Sequence, residues 1–401
     1  MVIKMLYFII FIIIAILYLI FPKTQSTFKT VRLKNFIFPI ILLLIILFII
    51  IFSNNVYKAA HDAFMLWVNN VIPSLLPFFI CIELLKQTNF MQIIGKFLTP
   101  IMRPIFNVPG SGAFALAMGI TSGYPVGAKV ASDLYKDKLC SKVEAERLIA
   151  FTNSSGPLFV IGAIGVGMFG DEKIGLLLLL THFLASLTVG ILFRFYKKHS
   201  TSDIISQVSI NSNSLNISNL GMHMANAIQK SISTLLLIGG FIVFFAVLTE
   251  ILSGTILKNV ENPLMLGALN GILEITSGIK KLSLIEGYDF IVLLPIVALI
   301  LGFGGFSVHM QVASIISESK LSMKPYLMGK MLQGIFAGIY TYLILKYTSF
   351  FSLDIVTAFS YHSNKIPVIE ESFSLFRTIA SLFFVSLIMG IVYILKKKQS
   401  D

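Results

Sequence analysis

The chain is short of charge. Only 12% of its 401 residues are Asp, Glu, Lys or Arg, while 56% are hydrophobic, and the mean hydropathy is +0.88. Soluble domains are about a quarter charged, so there is too little polar surface here to cover a water-exposed globule. Cysteine is scarce: Cys81 and Cys140 make neither a metal-ligand spacing nor a disulfide framework, and both read as reduced thiols. Acidic residues are outnumbered 19 to 31 by basic ones, giving a net charge of +12. That excess does not point to nucleic acid. Zinc-finger spacing, RNA-binding aromatic patterns and basic helices are missing, and the basic residues lie mostly in short loops between apolar runs. Catalytic signatures are missing too: there is no H-E-x-x-H, no G-x-S-x-G, no Walker loop and no pair of membrane aspartates. An enzyme is not expected, nor a cofactor or a metal. Transport, if any, must be passive, ion-coupled or powered by a partner.

What is present is a series of apolar runs, which makes this an all-α polytopic membrane protein. Met5–Phe21 and Phe36–Phe52 are uncharged and just long enough to span. The first lacks a small-x-small cleavage site and is followed by Lys23, Lys29, Arg32 and Lys34, so it reads as a retained anchor with loop 22–35 cytoplasmic. Further spans are predicted near 68–88, 146–168, 174–195, 228–252, 289–317, 326–347 and 377–395, nine in all with those two. Threaded from an outside N-terminus, the loops holding Arg103 to Arg147, Lys197–Lys198, Lys320–Lys330 and Lys396–Lys398 fall inside. Asp171–Glu172 and Glu370–Glu371 fall outside. Lys258 and Lys280–Lys281 are exceptions.

Two stretches resist a simple span. Residues 108–130 and 262–280 are crowded with Gly, Pro, Ser and Thr, backbone that lipid tolerates only when protein or a water-filled cavity satisfies it. Both read as re-entrant hairpins, with Gly123 and Gly278 at their tips. The tetrapeptide Ile120-Thr121-Ser122-Gly123 recurs as Ile275-Thr276-Ser277-Gly278. Each hairpin is followed by a broken span, at Thr152-Asn153-Ser154-Ser155-Gly156-Pro157 and at Gly302-Phe303-Gly304-Gly305-Phe306-Ser307, and then by another apolar run. Each half therefore reads as span, hairpin, broken span, span. Three crossings per half invert the second copy, the architecture of an inverted-repeat transporter, with the first hairpin opening to the cytoplasm.

Breaking a helix within a membrane frees backbone groups for a solute. Half-helix N-termini favour anions, and small hydroxyls supply donors and acceptors without blocking a path. The candidate substrate-binding residues are Thr121, Ser122, Gly123 and Lys129 from the first hairpin, and Asn153, Ser154 and Ser155 from the first break. The second half offers Thr276, Ser277, Gly278, Gly304, Gly305, Ser307 and Gln311, with His182 and His309 inside spans. The same small residues also let helices pack closely. Lys129 must either face a cavity and pair with an anion or snorkel to the interface.

The strings Thr121-Ser122-Gly123-Tyr124-Pro125-Val126-Gly127-Ala128-Lys129 and Thr152-Asn153-Ser154-Ser155-Gly156-Pro157 resemble the YlbJ-type sporulation integral membrane proteins. Those belong to the nucleoside-recognition "Gate" group, itself similar to parts of concentrative nucleoside transporters. The resemblance covers roughly residues 55–350 and implies export of dipicolinate, a small planar dianion, from the mother cell toward the forespore. It divides the chain into a two-span anchor region (1–54), a first Gate-like repeat (55–198), a polar linker (199–220), a second repeat (221–350), and a C-terminal loop with the last span (351–401). Expected partners are the small anion, the lipid bilayer and a coupling ion. The alternatives are an ion-coupled nucleoside transporter and a non-transporting scaffold of spore assembly.

Overall fold

The computed structural model describes residues 29–88, 90–197 and 220–347, all within one unit, Met1–Ser352. The expected spans at Met5–Phe21 and 377–395, most of the polar linker, and Glu370–Glu371 lie outside the described residues.

Among the described residues every regular element is a helix. Helix α1 (Lys29–Ile51) starts inside the segment expected as a loop, and the apolar run turns by 98° into α2 (Ser53–Leu66). A π-wound turn, Trp67–Val71, leads into α3 (Ile72–Lys86), and α4 (Phe90–Phe106) follows. The first predicted hairpin is a helix pair, α5 (Gly112–Ser122) and α6 (Val126–Lys136). Helix α7 (Lys142–Thr152) opens with a capping box, Ser141 accepting from the Glu144 N–H while Glu144 accepts from the Ser141 N–H. It stops at Asn153, and the chain resumes as the π-wound stretch Leu158–Met168 before α8 (Glu172–Phe193), which Asp171 caps. The span expected over 146–168 is thus broken where Asn153–Pro157 predicted.

The second half also contains a helix pair followed by an interrupted helix and a further helix. The long α9 (Leu220–Gly254) leads to the hairpin arms α10 (Pro263–Leu273) and α11 (Ile275–Ser283). Then α12 (Phe290–Phe303) and α13 (Gly305–Ser317) form one apolar stretch interrupted at Gly304, and α14 (Met323–Tyr347) closes the series. At Gly304 φ is +89°, a left-handed conformation that costs a side-chain-bearing residue and suits glycine. Three helical stretches among the described residues are long and apolar enough to cross a membrane: α8, α9 and Phe290–Ser317. The bent pair α1–α2 makes a fourth if taken as one span. Helix α14, expected as a span, is not among them; it carries Lys324, Lys330 and Lys346. One face packs against α7, α8, α12 and α13, while Met328, Met331, Ile335 and Ile339 stay exposed on another.

The repeated tetrapeptide does not mark equivalent places. In the first half it ends α5, because Gly123 adopts φ +84° and breaks the helix. In the second half it begins α11, because the Glu274 carboxylate accepts from the N–H groups of Thr276 (3.0 Å) and Ser277 (2.7 Å). Glycine contacts locate the matching positions better. The arms of the first hairpin approach at Gly119 and Gly127, and those of the second at Gly271 and Gly278. Gly278 is therefore no hairpin tip: a Cβ there would drive into the backbone of Gly271 and Asn270. Gly278→Val should lower the amount of inserted protein, since overpacking of this kind costs about 1–3 kcal/mol or more. Wild-type abundance on a membrane immunoblot would show the hairpin arms are not packed this way.

Cys140 is buried in the α6–α7 connection, where burial first and then the charges of Glu144 and Asp137 push its thiol up. It is correspondingly inert.

Candidate functional site

The polar residues of the first break do not face lipid. Asn153, Ser154 and Ser155 are fully buried, held between α8 and α14. The Ser155 N–H donates to His182 Nε2 on α8 at 2.9 Å, so the neutral His182 ring carries its proton on Nδ1. Ser154 lies within reach of Ser186, whose hydroxyl donates to the Phe151 carbonyl at 2.6 Å. From α14 comes Gln333, whose amide nitrogen reaches Ser154 and His182 at 3.4 Å each.

Beside Gln333 stands Lys330, with no exposed surface at all. Its Nζ donates to the Gln333 Oε1 at 2.7 Å and to the Asn153 carbonyl at 3.0 Å. It also lies 5.0 Å above the Tyr124 ring, a cation–π distance. Tyr124 comes from the break of the first hairpin and donates its hydroxyl to the Leu301 carbonyl of α12 at 2.6 Å. Gly304 borders both: a Cβ added there would sit 3.6 Å from Lys330 Cε and from the Tyr124 ring. The break in the first half, the tip of the first hairpin and the break in the second half therefore meet around the Lys330 Nζ. Tyr326 completes the wall, accepting weakly from the Asn153 amide (3.4 Å) and bonding His309 Nδ1 (3.1 Å).

Several buried polar atoms in this cluster have no hydrogen-bond partner: Asn153 Oδ1, Ser155 Oγ, His182 Nδ1 and His309 Nε2. Unpaired buried groups each cost about 1–3 kcal/mol, so four in one cluster call for an explanation.

Of the residues proposed from sequence, Asn153, Ser154, Ser155 and Gly304 belong to this cluster. Gly123 packs beside it against Gly156, where a Cβ would come within 2.7 Å of the Gly156 nitrogen. Thr121 is exposed and bonds its own helix at the Ala117 carbonyl, and Ser122 is only partly buried. Thr276 and Ser277 sit at the start of α11, where Glu274 already occupies the half-helix N-terminus expected to meet an anion. Replacing Glu274 with Ala strands both N–H groups and should cost about 1–2 kcal/mol of stability, readable as a lower melting temperature in detergent. Gly305 packs against the second hairpin, 3.0 Å from the Gly271 carbonyl by its would-be Cβ, and Ser307 and Gln311 are buried on α13 within 3.5 Å of each other. Lys129 is engaged elsewhere: its Nζ pairs with Glu83 at 3.0 Å and Asp133 at 3.4 Å. That contact ties α6 to α3, and the charge is neither snorkelling nor free for a solute.

Lys330, Gln333 and Tyr326 were not foreseen. Lys330 was counted with the loop lysines from Lys320 onward. The missed signal is local: Lys330 and Gln333 share a helix face flanked by Gly329 and Gly334, and both glycines contact neighbouring backbone. Glycine-lined faces in membranes point inward.

The family model for Gate, described as nucleoside recognition, matches residues 68–172. The chain is 38% identical over 317 residues to the sporulation integral membrane protein YlbJ of Bacillus subtilis (strain 168), covering 72% of this chain and 78% of that protein. No solved structure matches it.

Proposed function

This chain belongs to the family of the sporulation integral membrane protein YlbJ, and from that premise we propose that it transports a small anionic solute which meets the Lys330 ammonium within the bundle. One observation carries the reading. A buried ammonium is costly unless a counter-charge accompanies it, and the partners of Lys330 are a carbonyl, an amide oxygen and a ring face, all neutral. A carboxylate entering the cluster supplies the missing charge, and the His182 Nδ1–H gains an acceptor. Lys330, Gln333 and Asn153 have no exposed surface, so a solute reaches the Lys330 Nζ only when the surrounding helices part.

Within that class we favour dipicolinate, moved from the mother cell toward the forespore. Its planar ring suits a site walled by Tyr124, Tyr326 and His309, and its second carboxylate suits the remaining donors. The two halves are read as inverted repeats in a nine-span chain. Supporting this are the matching order of helix, hairpin, broken span and helix, and the way α14 packs on the broken span of the first half while α8 packs on that of the second. The role is transport rather than catalysis. A nucleoside reading draws on the Gate description. Ribose hydroxyls, however, call for a carboxylate, and this cluster offers a cation instead.

Purified protein in proteoliposomes, given radiolabelled dipicolinate and a nucleoside side by side, tests the proposal. Accumulation of dipicolinate but not the nucleoside is expected. Nucleoside uptake alone, or uptake of neither, overturns it.

A further inference from the structure

Helix α4 is unused by the solute site, and its surface has a pattern of its own. Ile93, Phe97, Ile101 and Ile105 recur every four residues and are all exposed, Phe97 by 70%. The other face is tied to the protein: Met102 and Phe106 are buried in the core, and Thr99 Oγ1 accepts from the Gly110 N–H at the base of the first hairpin. Lys96 and Arg103, seven residues apart, fall on one flank between these faces. Arg103 pairs with Glu144 at the start of α7, next to exposed Lys142 and Lys138, and Asn107 donates to the Arg194 carbonyl at the end of α8. Basic residues therefore border the apolar stripe, Lys96 and Arg103 on the helix flank, Lys138 and Lys142 in the α6–α7 connection that Arg103 reaches through Glu144, and Arg194 at the end of α8, with Asp137 and Glu144 as acidic exceptions. With Lys96 and Arg103 among its 17 residues and prolines at 100 and 104, α4 is too charged and interrupted to span.

We propose that α4 lies flat on the membrane surface with its stripe in the acyl boundary, and that these basic residues bind anionic phospholipid headgroups of that leaflet. An apolar face bordered by Lys and Arg is the pattern of an interfacial helix, and each basic residue near a charged surface attracts it. The site is distinct from the Lys330 cluster, so the inference stands whether or not the chain carries an anion.

The test uses the full chain in mixed vesicles of phosphatidylcholine and phosphatidylglycerol, in a Cys81→Ser background. A fluorophore is placed at Ile93→Cys, Phe97→Cys or Ile101→Cys. Depth quenching should place all three at one shallow depth; a graded series across the roughly 12 Å between Ile93 and Ile101 would overturn the flat placement. At Phe97→Cys, brominated phosphatidylglycerol should quench at least about twofold more than brominated phosphatidylcholine at equal abundance, a preference that fades with salt. Joint replacement of Lys96, Lys138 and Lys142 with Gln should abolish it. Equal quenching by the two lipids, or a preference that survives the triple replacement, overturns the headgroup binding.

Discussion

Lys330→Gln should slow uptake of an anionic solute by at least about a hundredfold, because losing the charge opposite a desolvated carboxylate costs roughly 3 kcal/mol or more. Abundance should not fall with it. Replacing a buried, uncompensated ammonium by a neutral donor of similar length removes a desolvation penalty, and the Gln amide still has protons for the Asn153 carbonyl and Gln333 Oε1. Lys330→Arg keeps the charge but presents a broad planar fork where Gly304 and Tyr124 lie close, so recovery should be partial. Initial uptake rates normalised to inserted protein read both variants. Undiminished uptake in the Gln variant would make Lys330 a packing residue.

Lys129→Gln should do the reverse, lowering abundance while leaving each surviving molecule competent. Glu83 is 3% exposed, and removing its partner leaves a buried carboxylate with less compensation, at about 3–5 kcal/mol. Combining Glu83→Gln with Lys129→Gln should recover much of that loss, since the pair is then neutral on both sides. Abundance in the membrane and thermal stability in detergent report the outcome. A single Lys129→Gln variant that is fully abundant yet inactive would return this lysine to solute recognition.

The contrast between these two lysines shows where the sequence was legible. The breaks were readable because Gly304 and the Asn153–Pro157 run are poor helix formers placed mid-span, and the structure interrupts its helices there. The hairpins were readable from their glycine content for the same reason. Register was not, because a four-letter match carries no information about which side of a break it falls on. Glu274 decides that in the second half and Gly123 in the first. The site itself was half legible: Asn153, Ser154, Ser155 and Gly304 announced themselves by breaking helices, whereas Lys330 and Gln333 sit within an unbroken helix. Lys129 drew attention by lying in a motif, but it takes Asp133 one turn along its own helix and Glu83, 46 residues away in sequence, a partner that no local pattern reveals.

The most direct measurement is equilibrium binding of a charge series to the purified protein: dipicolinate, the monoanion picolinate and neutral pyridine, against wild type and Lys330→Gln. In wild type the dianion should bind tightest and the neutral ring weakest. In the Gln variant the anions should lose about a hundredfold while pyridine is unchanged. Equal affinities for the dianion in the two proteins would contradict the assignment of Lys330 as the group that meets the solute.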